Sequence, residues 1–450
     1  MGYSRPRYRP NETRRMPITT EQVTQLAPDA NSAAAGQKLK APKNWSHLGS
    51  SAEALWGQCQ GSALYRVQVE LSNLGSSCSC PSRKFPCKHV LGLLFLFADS
   101  PAALPPGEPP EWVVEWLRKR QDREQKKAAK AEAPPKPVDE KAQQKRAEQR
   151  DARVSDGLER LDLWLRDLVR NGLAGLESRP PSFWEEQSRR LMDAQAPGLA
   201  SRLSALGELP GSTPEWPSLL LAELGRIKLL LQAWRRIDQL EPALQAEIRQ
   251  LLGWNVSQDE LAQQTNGLAD HWCVVGQTLS EDRQLRTQRS WLLGRQTRRW
   301  ALIVQFAAGT QPFAEVLPVG MERPGTIVYY PGVSQQRARL VPADGGLTDI
   351  CDPLPGTNRF EEFLGEYAGQ LSRHPWTRGL CGLFREVTIV PGGQGWLLRD
   401  GAGHGLPLAR REPWKVLALT GGQACDIAAE WDGRGLHLLG MALEGRYRAL

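Results

Sequence analysis

The first clear hydrophobic pattern in the chain is an alternating one. In LYRVQVEL, at residues 64–71, every second residue from Tyr65 to Leu71 is apolar or aromatic, which predicts a strand with one packed face. VLGLLFLF, at residues 90–97, has the length and composition of a buried helix. The segment between them holds a short CSC run and a turn with Pro at both ends. We therefore expect the order strand, strand, turn and helix.

A helical pattern begins further along the chain. In DGLERLDLWLRDLVRNGL the leucines at 158, 161, 165 and 168 recur at three- and four-residue spacing, so they share one helix face. SLLLAELGRIKLLLQAWRRIDQL, which starts at residue 218, predicts a second long helix. We interpret residues 153–265 as a helical bundle.

The pattern changes again near His271, where short β-prone runs are divided by Gly, Pro and charged turns. One helix is predicted among them, at RFEEFLGEYAGQL. The predicted strands are WCVVGQTL, LRTQRSWLLG, RRWALIVQFA, GTIVYYPG, ARLVP, EVTIVPGG, GWLLRD, WKVLALTGG and GLHLLGMAL. Residues 266–450 are therefore expected to form a β-rich domain, and a meander, a sandwich or a barrel would each fit.

Charge divides the chain further. The net charge is +7, and the excess of positive charge lies in residues 1–17 and 118–153. The second segment contains thirteen Lys and Arg but only seven Asp and Glu. We expect residues 1–43 to be an N-terminal extension, partly disordered, within which Met16 would be a natural start. Residues 44–117 would then fold, and 118–152 would be a charged linker, partly helical at either end.

The amino terminus lacks an apolar signal segment, and the longest apolar run is shorter than the roughly 20 residues that cross a membrane. We therefore expect a cytoplasmic protein without a membrane partner. In a reducing compartment, clustered cysteines favour metal binding over disulfides. The cysteines at 59, 273, 351, 381 and 425 are single and are expected to be ordinary buried thiols.

The cysteines at 78, 80 and 87 and the histidine at 89 stand together in CSCPSRKFPCKH. On a strand, Cys78 and Cys80 point the same way, and the turn brings Cys87 and His89 back toward them. Three thiolates and an imidazole form a closed tetrahedral set for one zinc ion and leave no position for a substrate water. We predict one structural Zn²⁺ at this site. A redox-active thiol cluster is the alternative.

The spacing C-x-C, six residues, C-x-H resembles the SWIM zinc finger, and Cys78, Cys80, Cys87 and His89 match its four ligand positions. The surrounding sequence is similar to long bacterial proteins that carry one such finger near the amino terminus. The resemblance implies a small ββα SWIM-type zinc finger. Together with the helical bundle region and the C-terminal β-rich domain that the hydrophobic patterns predict, the expected fold class is a multidomain α+β protein. It also implies a non-catalytic interaction or scaffold role, as an adaptor in a system with a MoxR-type ATPase and a von Willebrand A-domain protein.

The turn carries candidate partner contacts, since Arg83, Lys84 and Lys88 form a basic edge around Phe85. This edge suits a phosphate or an acidic partner, although a solvated turn would look the same. A protein partner is favoured over nucleic acid, because the basic residues concentrate outside the expected folded regions. DNA binding would then be weak and sensitive to salt.

No phosphate-binding loop, zinc-protease or nucleophile-elbow motif occurs in the sequence. DGAGHG at residues 400–405 is better explained as a hairpin turn than as a phosphate loop. His271 and Cys273 form a lone pair without a third orienting group, and Cys59 is expected to be a core residue rather than a ligand. The alternatives to a scaffold are a DNA-binding protein or an enzyme with an unrecognised site in the C-terminal domain.

Overall fold

The structure is a computed structural model of the 450-residue chain. It describes residues 18–132, 140–254, 256, 261, 267–282, 285–309, 311–343, 345–351, 353–393, 395–409 and 413–450. The expected start at Met16 and the basic residues 1–17 lie outside these ranges.

The zinc-finger region is a four-stranded antiparallel sheet backed by one helix. The sheet has the order β1-β2-β3-β4, and the helix α3 follows the cysteine turn. Val67 and Val69 of β3 are fully buried against α3, as the alternating pattern predicts. The elements are β1 (Trp45–Ser50), β2 (Ala54–Gln60), β3 (Leu64–Glu70), β4 (Ser76–Cys78) and α3 (Lys88–Asp99).

Two helices before β1 belong to the same core: α1 (Thr20–Leu26) and α2 (Ala30–Lys38). Val23 and Ala33 are buried in it. A Cβ on Gly36 would lie 2.7 Å from Leu91 Cβ, so α2 and α3 approach closely enough to require glycine there. The structure therefore differs from the expected extension over residues 1–43. From residue 18 the chain is part of the finger domain, because α3 offers more apolar surface than the sheet alone covers.

The charged segment is helical on both sides of residues 133–139, which lie outside the described ranges. Helix α4 (Glu111–Glu132) begins before the expected linker boundary, and α5 (Glu140–Arg170) continues from the linker into the bundle. A helix rich in charged residues can leave most of its surface exposed to solvent while a few apolar residues at one end pack against the fold. Val113 and Leu117 of α4 are buried against Trp56 of β2.

The helical bundle is formed by α5 with α6 (Ser182–Asp193), α7 (Pro197–Leu206), α8 (Trp216–Arg235) and α9 (Pro242–Leu252). The four leucines of α5 that share the predicted face are all buried in its core. One carboxylate, Asp162 of α5, is also buried there, and its oxygens contact Arg166, Lys228 and Arg235. The predicted bundle is thus confirmed.

The first part of the β-rich region is a closed barrel. Its strands follow the order β5-β6-β7-β9-β8, and β8 returns to pair with β5. Among the strand pairs that the structure describes in the barrel, β7 and β9 form the parallel one. This connectivity is that of the five-stranded Greek-key barrel called the OB-fold. The strands are β5 (Leu268–Asp282), β6 (Leu285–Gly294), β7 (Trp300–Ala308), β8 (Met321–Tyr329) and β9 (Arg337–Pro342), with β10 (Thr348–Asp349) beside β8.

A second six-stranded sheet follows, in the order β13-β12-β11-β14-β15-β16, and it packs against the barrel through Leu383 and Leu439. Its elements are α10 (Phe360–Arg373), β11 (Leu380–Gly392), β12 (Gly395–Arg399), β13 (Gly405–Pro407), α11 (Trp414–Thr420), β14 (Cys425–Trp431), β15 (Leu436–Leu443) and β16 (Arg446–Ala449). The predicted helix at residues 359–371 and the hairpin turn at residues 400–404 are confirmed.

The strand predicted at WKVLALTGG is wrong, because these residues form α11. Val416 and Thr420, four residues apart, are its buried positions. Gly421 ends the helix in the left-handed conformation, with φ 60°. A short apolar run does not distinguish a strand from a helix by itself, and the glycine pair that follows was the better signal.

Candidate metal centre

Secondary structure places each of the four predicted ligands. Cys78 is the last residue of β4 and pairs with Val67 of β3. The backbone of Arg66 then fixes the following residue, since its amide donates to Ser79 Oγ at 2.9 Å and its carbonyl accepts from Ser79 N at 3.0 Å. Cys80 comes next, Cys87 caps α3, and His89 lies in the first turn of that helix. The end of one strand and the start of one helix thus converge.

The four side chains form one cluster, in which their ligand atoms all lie within 4.8 Å of one another. His89 Nδ1 is 3.8 Å from Cys78 Sγ and 3.9 Å from Cys87 Sγ. In a tetrahedral zinc site with Zn–S near ~2.3 Å and Zn–N near ~2.0 Å, ligand atoms are roughly 3.5–3.8 Å apart. The observed spacing therefore fits a zinc ion, and Nδ1 is the imidazole nitrogen that faces it.

Tyr65 holds the imidazole from the other side. Its ring lies 4.8 Å from the His89 ring, centre to centre, at a tilt of 35°. The Tyr65 hydroxyl lies 2.6 Å from Ser62 Oγ at the β2–β3 turn. The alternating pattern of the strand predicts Tyr65 on its packed face but indicates no contact between Tyr65 and the imidazole. The available signal was the aromatic residue itself, which lies on the same strand face as Val67 and Val69.

The electrostatics of the cluster favour ionisation at Cys87. A hydrogen bond with Cys78 lowers the pKa of Cys87 to about 4, with further lowering from His89 and from the Val90 amide. The same hydrogen bond, and then burial, raise the pKa of Cys78. Cys87 stands at the amino terminus of α3, where the helix dipole stabilises a negative charge. Cys87 would therefore offer a readily formed thiolate to a metal ion, and the thiols of Cys78 and Cys80 would lose their protons when they bind it.

Three sulfurs and one nitrogen complete a tetrahedron, so the donor set matches a structural zinc and provides no coordination place for substrate. Cys87 and His89 are buried, and Cys78 and Cys80 are partly covered. The predicted ligand set and the single zinc ion fit this geometry. Cys59 lies near the cluster but is fully buried in the core of the finger, as expected.

Three of the four candidate partner contacts lie in the turn between Cys80 and Cys87, residues 81–86, which we call the ligand turn, and Lys88 follows Cys87. Arg83 and Lys88 are exposed. Lys84 Nζ forms an ion pair with Asp29 Oδ2 at 2.9 Å, so it ties the turn to the start of α2. Phe85 is half-buried and faces a cleft between the finger and the barrel.

Three histidines outside the cluster, His374, His404 and His437, lie beside a carboxylate. His374 is buried, with Nδ1 2.7 Å from Thr377 Oγ1 and Nε2 3.2 Å from Glu247 Oε1. Glu247 Oε2 also accepts hydrogen bonds from the amides of Val333 and Ser334, which joins the bundle to the barrel. Burial raises the pKa of Glu247, but these partners outweigh it and hold it below the ordinary value. This junction could not be predicted from the sequence, because its residues are distant from one another in the chain.

The lone His271–Cys273 pair forms no catalytic arrangement in the structure. The Cys273 thiol is buried and donates instead to Glu322 Oε2 at 3.1 Å. Burial raises the pKa of this thiol, so it stays protonated at neutral pH. Cys273 is therefore a core residue, whereas His271 is exposed.

Comparison with known families follows the same division of the chain. A family model of the SWIM zinc finger matches residues 65–97, and one of the SWIM-associated four-helix bundle domain matches residues 149–252. No curated protein and no solved structure matches the chain. Among the described helices, none combines the length and apolar character needed to cross a bilayer. The chain therefore carries a SWIM zinc finger and the SWIM-associated four-helix bundle domain.

Proposed function

We propose that this protein is a non-catalytic interaction protein in which zinc has a structural role. The observation that carries the proposal is the closed set of Cys78, Cys80, Cys87 and His89, which joins the end of β4 to the start of α3. A catalytic zinc keeps one coordination place for water or substrate, whereas this set uses all four for protein ligands. The zinc then serves to hold the ligand turn, with Lys84 and Phe85, in one conformation.

We propose a protein partner rather than nucleic acid, and a cytoplasmic, bacterial setting. A MoxR-type ATPase and a von Willebrand A-domain protein are the first candidates, on the resemblance of the finger and its surroundings to long bacterial SWIM proteins. The packing around the barrel also favours a protein partner over nucleic acid. Oligonucleotides commonly bind OB-type barrels over the second and third strands. Here that part of β6 is covered by β14, since Arg289 and Trp291 contact Glu430 at 2.7 and 3.1 Å.

The test combines metal analysis with partner capture on the full-length protein. Purified wild-type protein should contain one zinc per chain and should retain a candidate ATPase or A-domain protein on an affinity column. Cys87→Ser should lose both zinc and partner. Phe85→Ala should keep the zinc, because the ring is not a ligand, and should weaken retention.

Zinc-free wild-type protein, purified reduced and without chelator, would contradict the structural-zinc proposal and would return attention to redox chemistry of the thiols. Full retention of the partner by Cys87→Ser would show that the finger takes no part in the interaction. Tight DNA binding that persists at high salt would replace the protein partner by nucleic acid.

A further inference from the structure

The segment that follows α10 docks on the helical bundle. Trp376 is 4% exposed and packs in the core of the bundle. Its Nε1 donates to the backbone carbonyl of Arg226 on α8 at 2.8 Å. Two residues later, Nη2 of Arg378 lies 3.9 Å from Oε2 of Glu223, also on α8. The segment therefore brings an arginine of the C-terminal region beside charged side chains of the bundle.

Arg202 of α7 belongs to the same junction. A Cβ on Gly198 would lie 2.6 Å from the carbonyl oxygen of Leu251, so this face of α7 lies against α9. Arg202 follows Gly198 by one turn and shares that face. Glu247, one turn before Leu251, is among the charged groups that act electrostatically on Arg202, as are Arg378 and two residues of α8. Side chains from α7, α8, α9 and the segment after α10 thus meet.

The guanidinium of Arg202 has no acceptor. Arg202 is partly buried, and among the described residues its side chain has neither a hydrogen-bond partner nor an ion-pair partner. The helices α7, α8 and α9 are described without a gap. The strongest charge acting on Arg202 is the positive one of Arg378. Burial, and then this charge, lower the pKa of Arg202 to about 10. A cation in these surroundings is unfavourable until an anion supplies acceptors.

The two carboxylates of the junction are bound to other groups. Glu223 contacts Arg226 through Oε1. Glu247 accepts two hydrogen bonds from backbone amides between β8 and β9, and its other oxygen lies 3.2 Å from His374 Nε2. The contact between Glu223 and Arg378 is too long for a hydrogen bond. Neither carboxylate therefore satisfies the donors of Arg202.

A phosphate group fits these donors better than a carboxylate does. Either anion can accept two parallel hydrogen bonds from one guanidinium. A phosphate carries up to about two negative charges and three free oxygens, so it can bind several guanidinium groups at once. Arg378 is exposed and Arg226 is partly exposed, so a ligand can reach the junction from solvent.

We propose that Arg202, Arg226 and Arg378 bind the phosphate group of a small ligand where the segment after α10 meets the helical bundle. The phosphate would supply the acceptors that Arg202 lacks and would offset the repulsion between Arg202 and Arg378. It would also strengthen the contact between the bundle and the C-terminal region, because the three arginines come from both. This site does not involve the zinc finger, so the proposal goes beyond the interaction role and does not rest on it.

The test is isothermal titration calorimetry on the full-length, zinc-loaded protein, at constant ionic strength and without phosphate or sulfate in the buffer. Inorganic phosphate, adenosine monophosphate and acetate are the probes. Arg202→Met removes the central charge and keeps the apolar part of the side chain. Arg378→Gln is the second variant, because Arg378 is exposed and its replacement should not disturb folding. Arg359→Gln is the control, at an exposed position before the opposite end of α10.

The wild-type protein should bind phosphate more tightly than acetate, and Arg202→Met should weaken phosphate binding by roughly tenfold or more. Arg378→Gln should weaken it by roughly threefold, since an exposed charge contributes less. Arg359→Gln should bind as wild type does, and every variant should retain the wild-type circular dichroism. Tighter binding of adenosine monophosphate than of phosphate would support the site with a phosphate monoester as ligand. Equal or weaker binding of the monoester would support it with free phosphate.

Two results would overturn the proposal. The first is wild-type protein that is folded and shows no preference for phosphate over acetate. The second is phosphate binding by Arg378→Gln, or by folded Arg202→Met, that equals binding by Arg359→Gln. In that case the anion would be attracted by the overall surface charge and not by these three residues.

Discussion

The finger domain and the helical bundle are stabilised in different ways, although both are small. The finger combines an apolar core with four ligand side chains within twelve residues, which must hold one ion before the ligand turn has a fixed shape. The bundle distributes its stability over a core of leucines, tryptophans and alanines on five helices. Asp162, a buried acidic side chain of α5, is paired with three cations. One substitution should therefore have a severe effect in the finger and a graded one in the bundle.

Loss of a zinc ligand should destabilise the protein more than any other change considered, and the destabilisation should be confined to the finger. Metal binding contributes on the order of 10 kcal/mol to the folding of small zinc fingers. In Cys87→Ser we expect α3 and the ligand turn to lose hydrogen-exchange protection, measured by mass spectrometry, while α8 keeps its wild-type protection. A zinc chelator added to wild-type protein should give the same map.

Cys425→Ser is the matched control, because Cys425 is a buried thiol of the second sheet outside the cluster. Its exchange map should equal that of wild type over α3. Protection of α3 that survives the loss of Cys87 would mean that the apolar contacts with α1 and α2 suffice, and the contrast between the two regions would disappear.

The two regions also differ in how far the sequence could predict them. The zinc ligands were predictable because their chemistry depends on residue type and short spacing, and the bundle because its leucines repeat at helical spacing. The contribution of α1 was missed, although Thr19 and Gln22 form a capping box in the structure and fit its sequence pattern. Barrel closure was not predictable, since the β7–β9 pairing is made by strands far apart in the chain. The cleft depends on the packing of two domains.

In the bundle, removal of the buried carboxylate should have an intermediate effect. Asp162→Ala deletes an acceptor whose side chain is 2% exposed and leaves Lys228 and Arg235 of α8 without their partner. Those cations remain partly exposed to water, so we expect a loss of about 2 kcal/mol, the cost of charged hydrogen bonds rather than of a buried charge. Chemical denaturation followed by tryptophan fluorescence measures it, and the zinc content should not change.

Asp167→Ala serves as the control for this variant, since Asp167 is exposed on the same helix. It should change the unfolding free energy by less than about 0.5 kcal/mol. If Asp162→Ala changed the unfolding free energy as little as Asp167→Ala, the apolar core alone would account for the stability of the bundle. If it unfolded the domain, the bundle would depend on one residue as strongly as the finger does.

The smallest effect should come from Asp29, which contacts both α2 and the ligand turn. Its carboxylate caps α2 by accepting from Ser32 N at 2.7 Å, and it pairs with Lys84. Asp29→Asn keeps a capping acceptor and removes the ion pair, whereas Asp29→Ala removes both. We expect a loss of about 1 kcal/mol for Asp29→Ala, mainly from the cap, and only a few tenths for Asp29→Asn, because the ion pair is exposed.

The pH dependence of the same residue separates its two roles. Lys84 and the Ser32 amide lower the pKa of Asp29 in the folded protein below the ordinary 3.8. A lowered folded pKa gives a contribution that is full above about 3.8 and is lost as the pH falls through the lower folded value. The difference in unfolding free energy between wild type and Asp29→Asn should therefore shrink toward acid pH. At neutral pH, Asp29→Asn should also raise hydrogen exchange in the ligand turn while zinc stays bound. An unchanged turn would mean that the metal alone positions Phe85, and the finger would then depend on its four ligands even more completely than the comparison with the bundle implies.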